Sequence, residues 1–202
     1  MGLVYQFISQ LSDIIASEVF EREVVGSENL ITEGPALIAA NHLSYLDPPL
    51  IGSVLGRDIF YLARKTLFDA PLLGWLLPRL NVIPVDRDGA DMTAIKVVIR
   101  MVKQGNATII FPEGTRSMDG NIQPARAGLG LIIAKTMAPV VPIRIIGSYE
   151  AWPKGAKLPR SSKVRIVIGK PIRFSNNDIQ GDPREAYQRI SQQVMDTIAA
   201  LE

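Results

Sequence analysis

Apolar residues fall into two rhythms along the chain. Over residues 3–20, Leu3, Val4, Phe7, Ile8, Leu11, Ile14, Ile15 and Val19 recur at helical spacing, with Gln6, Gln10, Asp13, Ser17 and Glu18 opposite. Such a helix needs an apolar surface to lie on, either the protein's own sheet or a lipid layer. Its polar face is acidic and neutral rather than Lys-rich, so neither surface is excluded. Beyond it, short β-branched segments alternate with helical patterns, and Gly, Pro, Asn and Asp mark the joints. Strands are expected at 36–41, 59–63, 82–85, 108–111, 140–146 and 163–168. Helices are expected at 92–103, where Ile95, Val98, Ile99 and Val102 share one face between Asp91 and Gly105, and near 129–136 and 184–201. The alternation predicts an α/β fold: a single domain with a mixed, mostly parallel sheet covered by helices, preceded by the N-terminal amphipathic helix. The expected division is residues 1–24 for that helix and 25–202 for the domain. In such folds ligands collect in the loops beyond strand ends.

Composition narrows the chemistry. The 202 residues contain no cysteine, which excludes disulfides, thiolate metal sites and cysteine nucleophiles and fits a reducing compartment. With a single histidine, a zinc site would need several carboxylates around it; no such cluster is visible, and no metal is expected. No apolar run reaches the roughly 20 residues that span a bilayer, and the N-terminus lacks the marks of a signal peptide, so any membrane contact is expected to be peripheral. The net charge of +2 is unevenly spread. No acid lies between Glu150 and Asp178, while Lys154, Lys157, Arg160, Lys163, Arg165, Lys170 and Arg173 do. That stretch is either a solvated surface or a meeting place for phosphates of coenzyme A, lipid headgroups or nucleic acid. It lacks the interleaved stacking aromatics of a nucleic-acid groove beyond Trp152 and Phe174, so no nucleic-acid partner is expected.

Four segments follow strands and carry reactive side chains. In Asn41-His42-Leu43-Ser44-Tyr45-Leu46-Asp47-Pro48, the histidine and aspartate would lie about 140° apart on a helix and on opposite faces of a strand, so only a turn can pair them. If a helix starts at Pro48, Asp47 becomes its cap, and the loop can fold the carboxylate toward the imidazole. A carboxylate there would fix the ring tautomer and stabilise the imidazolium formed when the other nitrogen takes a proton. Alternatively, His42 is a satisfied polar residue and Asp47 a plain cap. Ser44 lacks the glycine-flanked elbow of a nucleophilic serine. In Phe111-Pro112-Glu113-Gly114-Thr115-Arg116-Ser117, Gly114 allows close approach and Arg116, Thr115 and Ser117 can hold a phosphate. Glu113 can hold Arg116 in place or bind a glycerol hydroxyl; a capped turn with an internal ion pair is the plainer alternative. Asn81 to Arg87 are expected to form a strand that delivers Arg87 to its end beside Asp86, the plainer alternative being an exposed turn arginine, and Val140 to Ile145 an apolar strand that packs in the core and whose Pro142 suggests an edge or irregular pairing. The apolar segment from Pro71 to Pro78, with Trp75, is either a buried helix or, as preferred here, a lipid-facing patch. Trp152, at the start of the basic stretch, suits a headgroup boundary.

In this order, NHLSYLDP, NVIPVDR, FPEGTRS and VVPIRI resemble the four blocks of the glycerolipid acyltransferase family that includes 1-acyl-glycerol-3-phosphate acyltransferases, over about residues 36–149. The resemblance implies a glycerol-3-phosphate acyltransferase-like domain over residues 25–202, with His42 and Asp47 as a catalytic dyad. It implies acceptor binding by Arg87, Glu113 and Arg116, with Gly114, Thr115 and Ser117 completing the loop. It also implies transfer of a fatty acyl group from acyl-CoA or acyl carrier protein, as substrates rather than cofactors, to a lysophospholipid, forming phosphatidic acid at the cytoplasmic face of a membrane. Glycerol-3-phosphate, another lysophospholipid, a glycolipid or an amino-acid lipid are alternative acceptors, and a lipid-binding module without turnover is a second class. The chain departs from the family at Asn81, where glycine is more usual; asparagine tolerates positive φ best among the other residues.

Overall fold

In the computed structural model, which describes residues 2–86 and 91–202, seven strands form one sheet in the order β1-β7-β6-β2-β5-β3-β4. The strands are β1 (Glu23–Val25), β2 (Ala36–Ala40), β3 (Ile59–Arg64), β4 (Val82–Val85), β5 (Ala107–Ile110), β6 (Val140–Ile146) and β7 (Arg165–Ile168). Five run parallel; β7 turns back antiparallel along β6, and β1 follows β7. The predicted mostly parallel α/β domain is therefore what forms. β2 lies between β5 and β6 and is buried on both faces, as its unbroken apolar run requires.

Seven α-helices accompany the sheet among the described residues: α1 (Leu3–Phe20), α2 (Asp47–Val54), α3 (Pro71–Leu76), α4 (Asp91–Lys103), α5 (Gly128–Thr136), α6 (Ser148–Ala151) and α7 (Pro183–Ala200). Alternate residues of β2 divide the core: Ala36, Ile38 and Ala40 face the layer containing α1 and α2, while Leu37 and Ala39 face α4, α5 and α7. α5 and α7 approach closely at Gly130, where a Cβ would overlap the Tyr187 backbone, and the Gly130 N–H donates to the Ser191 hydroxyl (2.8 Å).

Three details depart from sequence expectation or refine it. α1 docks through Tyr5, Ala16 and Phe20, which lie outside the predicted apolar stripe, so the stripe itself faces outward: Leu3 is 85% exposed, Phe7 64% and Ile14 59%. β6 is an interior strand and not an edge. Its Pro142 sits where the β7 ladder has already ended at Ile143 and Ile168, and Gly169 donates to the Pro142 carbonyl instead, so no ladder bond needs the missing N–H. Asn81 adopts φ 57°, the left-handed conformation expected of a glycine substitute, and its carbonyl accepts from the Tyr61 N–H.

Candidate active site

Parallel β2, β5 and β6 end side by side, and the loop after each brings one part of the site. The loop after β2 carries His42. Its Nδ1 lies 2.9 Å from Asp47 Oδ2, so the carboxylate accepts a proton-bearing Nδ1 and sets the tautomer. The same oxygen accepts from the N–H groups of Leu43 and Ser44, each at 2.7 Å, while Oδ1 accepts from the Ser148 hydroxyl after β6 at 2.7 Å. Asp47 is fully buried, with both oxygens engaged.

Asp47 is the first residue of α2 rather than its cap, and its carboxylate points back into the loop. The reason is local. Pro48 and Pro49 have no N–H to offer a cap, and Leu50 donates to the Leu46 carbonyl. The donors that need an acceptor are those of the preceding turn. Ser44 is buried with its hydroxyl donating to the Trp152 carbonyl (2.8 Å), a structural anchor rather than an exposed nucleophile.

The loop after β5 packs against this turn. Phe111 stacks on the His42 ring with centroids 3.9 Å apart, the Glu113 carboxylate accepts from the His42 backbone N–H (2.8 Å), and Ser117 N–H donates to the His42 carbonyl (2.9 Å). Glu113 thus ties two loops together. Its second oxygen accepts from Gln123 N–H at 3.3 Å, and no ion pair joins it to Arg116 among the described residues. Arg116 instead stacks on Tyr45, with its guanidinium carbon 3.6 Å from the ring centroid, and its buried Nη1 has no hydrogen-bond partner among the described residues. That is an unmet donor in the loop whose Ser117 N–H bonds the His42 carbonyl. Ser117 is buried and its hydroxyl donates to Asp119 (2.8 Å), which shapes the loop; Gly114, at φ 73°, and Thr115 remain on the accessible side. Arg87 lies outside the described residues.

Burial raises the Glu113 carboxyl to about 7, against a downward pull from the His42 and Gln123 N–H groups. The folded protein therefore holds this proton more tightly than the unfolded chain, so its contribution makes stability fall as pH rises from 4.5 to 7 and level off above. Urea unfolding at pH 5 and pH 8 checks this: Glu113→Gln is expected to show a smaller loss between the two than the wild type. Equal losses would contradict it.

Beneath His42 opens a cavity of about 440 Å³ lined mainly by apolar residues, including Leu62, Ile95, Val98, Ile110, Phe111 and Leu129. This is the scale of a small-molecule site. Gly114 and Arg126 also line it, and a Cβ at 114 would lie 2.9 Å from Arg126 Cδ, so the glycine makes room for the arginine stem. Among the described residues no carboxylate and histidine group could hold a metal.

Sequence reasoning paired His42 with Asp47 and placed the 113–117 loop beside them, but it missed Ser148, Tyr45 and Arg126. Tyr45 sits inside the first block and Arg126 just past the third, but nothing local marks their contacts. Ser148 is 101 positions from Asp47, and only the pairing of β2 with β6 brings them together.

The sequence model of the Acyltransferase family matches residues 21–146. The chain is 33% identical over 193 residues to a chloroplastic 1-acyl-sn-glycerol-3-phosphate acyltransferase of Brassica napus, covering 93% of this chain and 55% of that one. It is 30% identical over 170 residues to the 1-acyl-sn-glycerol-3-phosphate acyltransferase of Bacillus subtilis, covering 84% and 82%. The chain thus spans about half the length of the plant relatives it matches. The crystal structure of a 1-acyl-sn-glycerophosphate acyltransferase, PlsC, from Thermotoga maritima superimposes with a TM-score of 0.77 at 28% identity, covering 97% of this chain and 80% of that one.

Proposed function

Because the chain belongs to the Acyltransferase family, we propose that it transfers a fatty acyl group from a thioester to the free hydroxyl of 1-acyl-glycerol-3-phosphate, forming phosphatidic acid. The observation that carries this reading is a histidine whose Nδ1 is fixed by a buried carboxylate and whose ring lines an apolar cavity; the loop bonded to its backbone carries an arginine with an unmet donor.

In this reaction His42 Nε2 takes the proton of the acceptor hydroxyl as its oxygen attacks the thioester carbonyl carbon. Asp47 stabilises the imidazolium, the C–S bond breaks, and the proton passes to the departing thiolate. No acyl-enzyme is needed, since the thioester is already activated, and Ser44 plays no chemical part. The developing oxyanion needs N–H donors. Those of Leu43 and Ser44 are engaged by Asp47, and that of Gly114 by the Phe111 carbonyl. The N–H groups of Thr115 and Arg116 make no hydrogen bond among the described residues, which favours the 113–116 loop for this role. The cavity accommodates an acyl chain, and Arg116, with Arg87, holds the acceptor phosphate. Acyl-CoA and acyl carrier protein both remain suitable donors, and no cofactor takes part.

The acceptor is a lipid, so the enzyme works at a bilayer surface, peripherally and at its cytoplasmic face. No helix among the described residues is long and apolar enough to cross a membrane. Contact is made by the outward stripe of α1 and by the 65–80 segment on the same side, where Leu72 is 72% and Trp75 52% exposed.

A panel of acceptors tests the substrate: 1-acyl-glycerol-3-phosphate, glycerol-3-phosphate, lysophosphatidylcholine and a neutral monoacylglycerol, each with both donors and products identified by mass. Phosphatidic acid is the expected main product; preference for an acceptor lacking a terminal phosphate would overturn the assignment. Arg116→Ala is expected to raise KM for the acceptor by roughly 10- to 100-fold, as for loss of a charge-assisted hydrogen bond, with a smaller effect on the donor. An unchanged response to acceptor concentration would contradict a phosphate role.

A further inference from the structure

The basic stretch is divided by the fold. Because β7 runs antiparallel to β6, residues 154–163 lie at the active-site end of the sheet, while Lys170 and Arg173 follow β7 at the opposite end. The first group hangs directly on the catalytic turn. Trp152 O accepts from both the Ser44 hydroxyl and the Tyr45 N–H, Pro153 bridges to Ser44, and the Trp152 ring leans on Tyr45 with centroids 5.4 Å apart. Tyr45 in turn carries Arg116. The same segment also meets the end of α1: the Ser161 hydroxyl donates to Val19 O, and Val164 N–H to Phe20 O.

From this loop project Lys154, Lys157 and Arg160, all exposed and none in an ion pair among the described residues, with Leu158 between them at 76% exposure. Exposed cations around an exposed leucine, continuous with the outward stripe of α1, match a bilayer interface where apolar groups enter the acyl boundary and lysines meet headgroups. α1 itself supplies no such charge: residues 3–20 hold no Lys or Arg, Asp13 pairs with Arg22 just past the helix, and Glu18 is acidic.

We propose that the 153–163 loop binds the anionic headgroups of a bilayer and so sets the active-site mouth against the lipid surface. The proposal rests on the reading above that the acceptor resides in a membrane. It makes binding depend on anionic lipid and on salt, because cations near such a surface act within a Debye length.

The experiment compares the full chain with Lys154→Gln/Lys157→Gln/Arg160→Gln and with Lys170→Gln/Arg173→Gln. Flotation is measured on phosphatidylcholine vesicles with and without phosphatidylglycerol, and acyl transfer on acceptor dispersed in detergent micelles with each donor. The triple variant is expected to lose roughly a hundredfold in affinity for phosphatidylglycerol vesicles, about fivefold per cation. Its binding to phosphatidylcholine and its transfer in micelles should stay at wild-type levels, and the double variant should match wild type throughout. Wild-type affinity in the triple variant overturns the proposal. So does an equal loss in the double variant, which would mean unspecific charge. A selective loss of micellar transfer with acyl carrier protein or acyl-CoA also overturns it, placing the loop at the donor. Absence of transfer by the wild type, with loop-dependent flotation retained, would count against the proposed reaction and not against the loop.

Discussion

His42→Ala is expected to lower kcat/KM for acyl transfer by about 10² to 10⁴ while leaving the fold in place, because general-base assistance is worth that much. Removing the imidazole takes one hydrogen bond from Asp47, which still accepts from Leu43, Ser44 and Ser148, so no buried charge is left unmet. The loop keeps its backbone ties to Glu113 and Ser117. What is lost in packing is the stack on Phe111. Rates measured beside a thermal unfolding curve separate the two effects. A folded variant with near wild-type transfer would remove His42 from the chemistry.

Asp47→Asn isolates charge from geometry. Three donors converge on Oδ2, and an asparagine carbonyl at that place can accept from all of them; the amide then faces Ser148, whose hydroxyl can rotate to accept. The fold and the His42 tautomer should therefore survive. The negative charge that stabilises an imidazolium is gone, so kcat should fall by about 10² to 10⁴ with little change in KM. Asp47→Ala is harsher, since it strands two N–H groups and a hydroxyl in a fully buried spot and should cost on the order of 3 kcal/mol or more in stability. A kcat for Asp47→Asn within a fewfold of wild type would show that the carboxylate only holds the turn.

The sequence carried much of this site because its parts are local. His42 and Asp47 are five positions apart, and their inability to meet on a helix or strand pointed to a turn, which is what forms. The alternation of strands and helices likewise made the sheet legible, and Asn81 announced its left-handed backbone by its chemistry. Less legible was whatever depends on contacts between distant segments. The grip of Ser148 on Asp47 and of Glu113 on the His42 N–H follows from which strands lie beside β2, and that order is not written in any one segment. α1 shows a further limit: periodicity found its larger apolar stripe, but the smaller one of Tyr5, Ala16 and Phe20 is the one that docks. A helix with two usable faces does not declare which is inward. Pro142 left an edge strand and irregular pairing both open, and the second is what forms: β6 is interior, and the proline sits where its neighbour's ladder stops.

The most direct test of the account is to incubate the purified chain with an acyl thioester and vesicles containing 1-acyl-glycerol-3-phosphate and to follow the products by mass, with His42→Ala alongside. The wild type is expected to form phosphatidic acid and the variant to remain near background at equal protein. Equal yields from the two, or no phosphatidic acid from the wild type with either donor, would contradict the assignment of His42 as the base of this transfer.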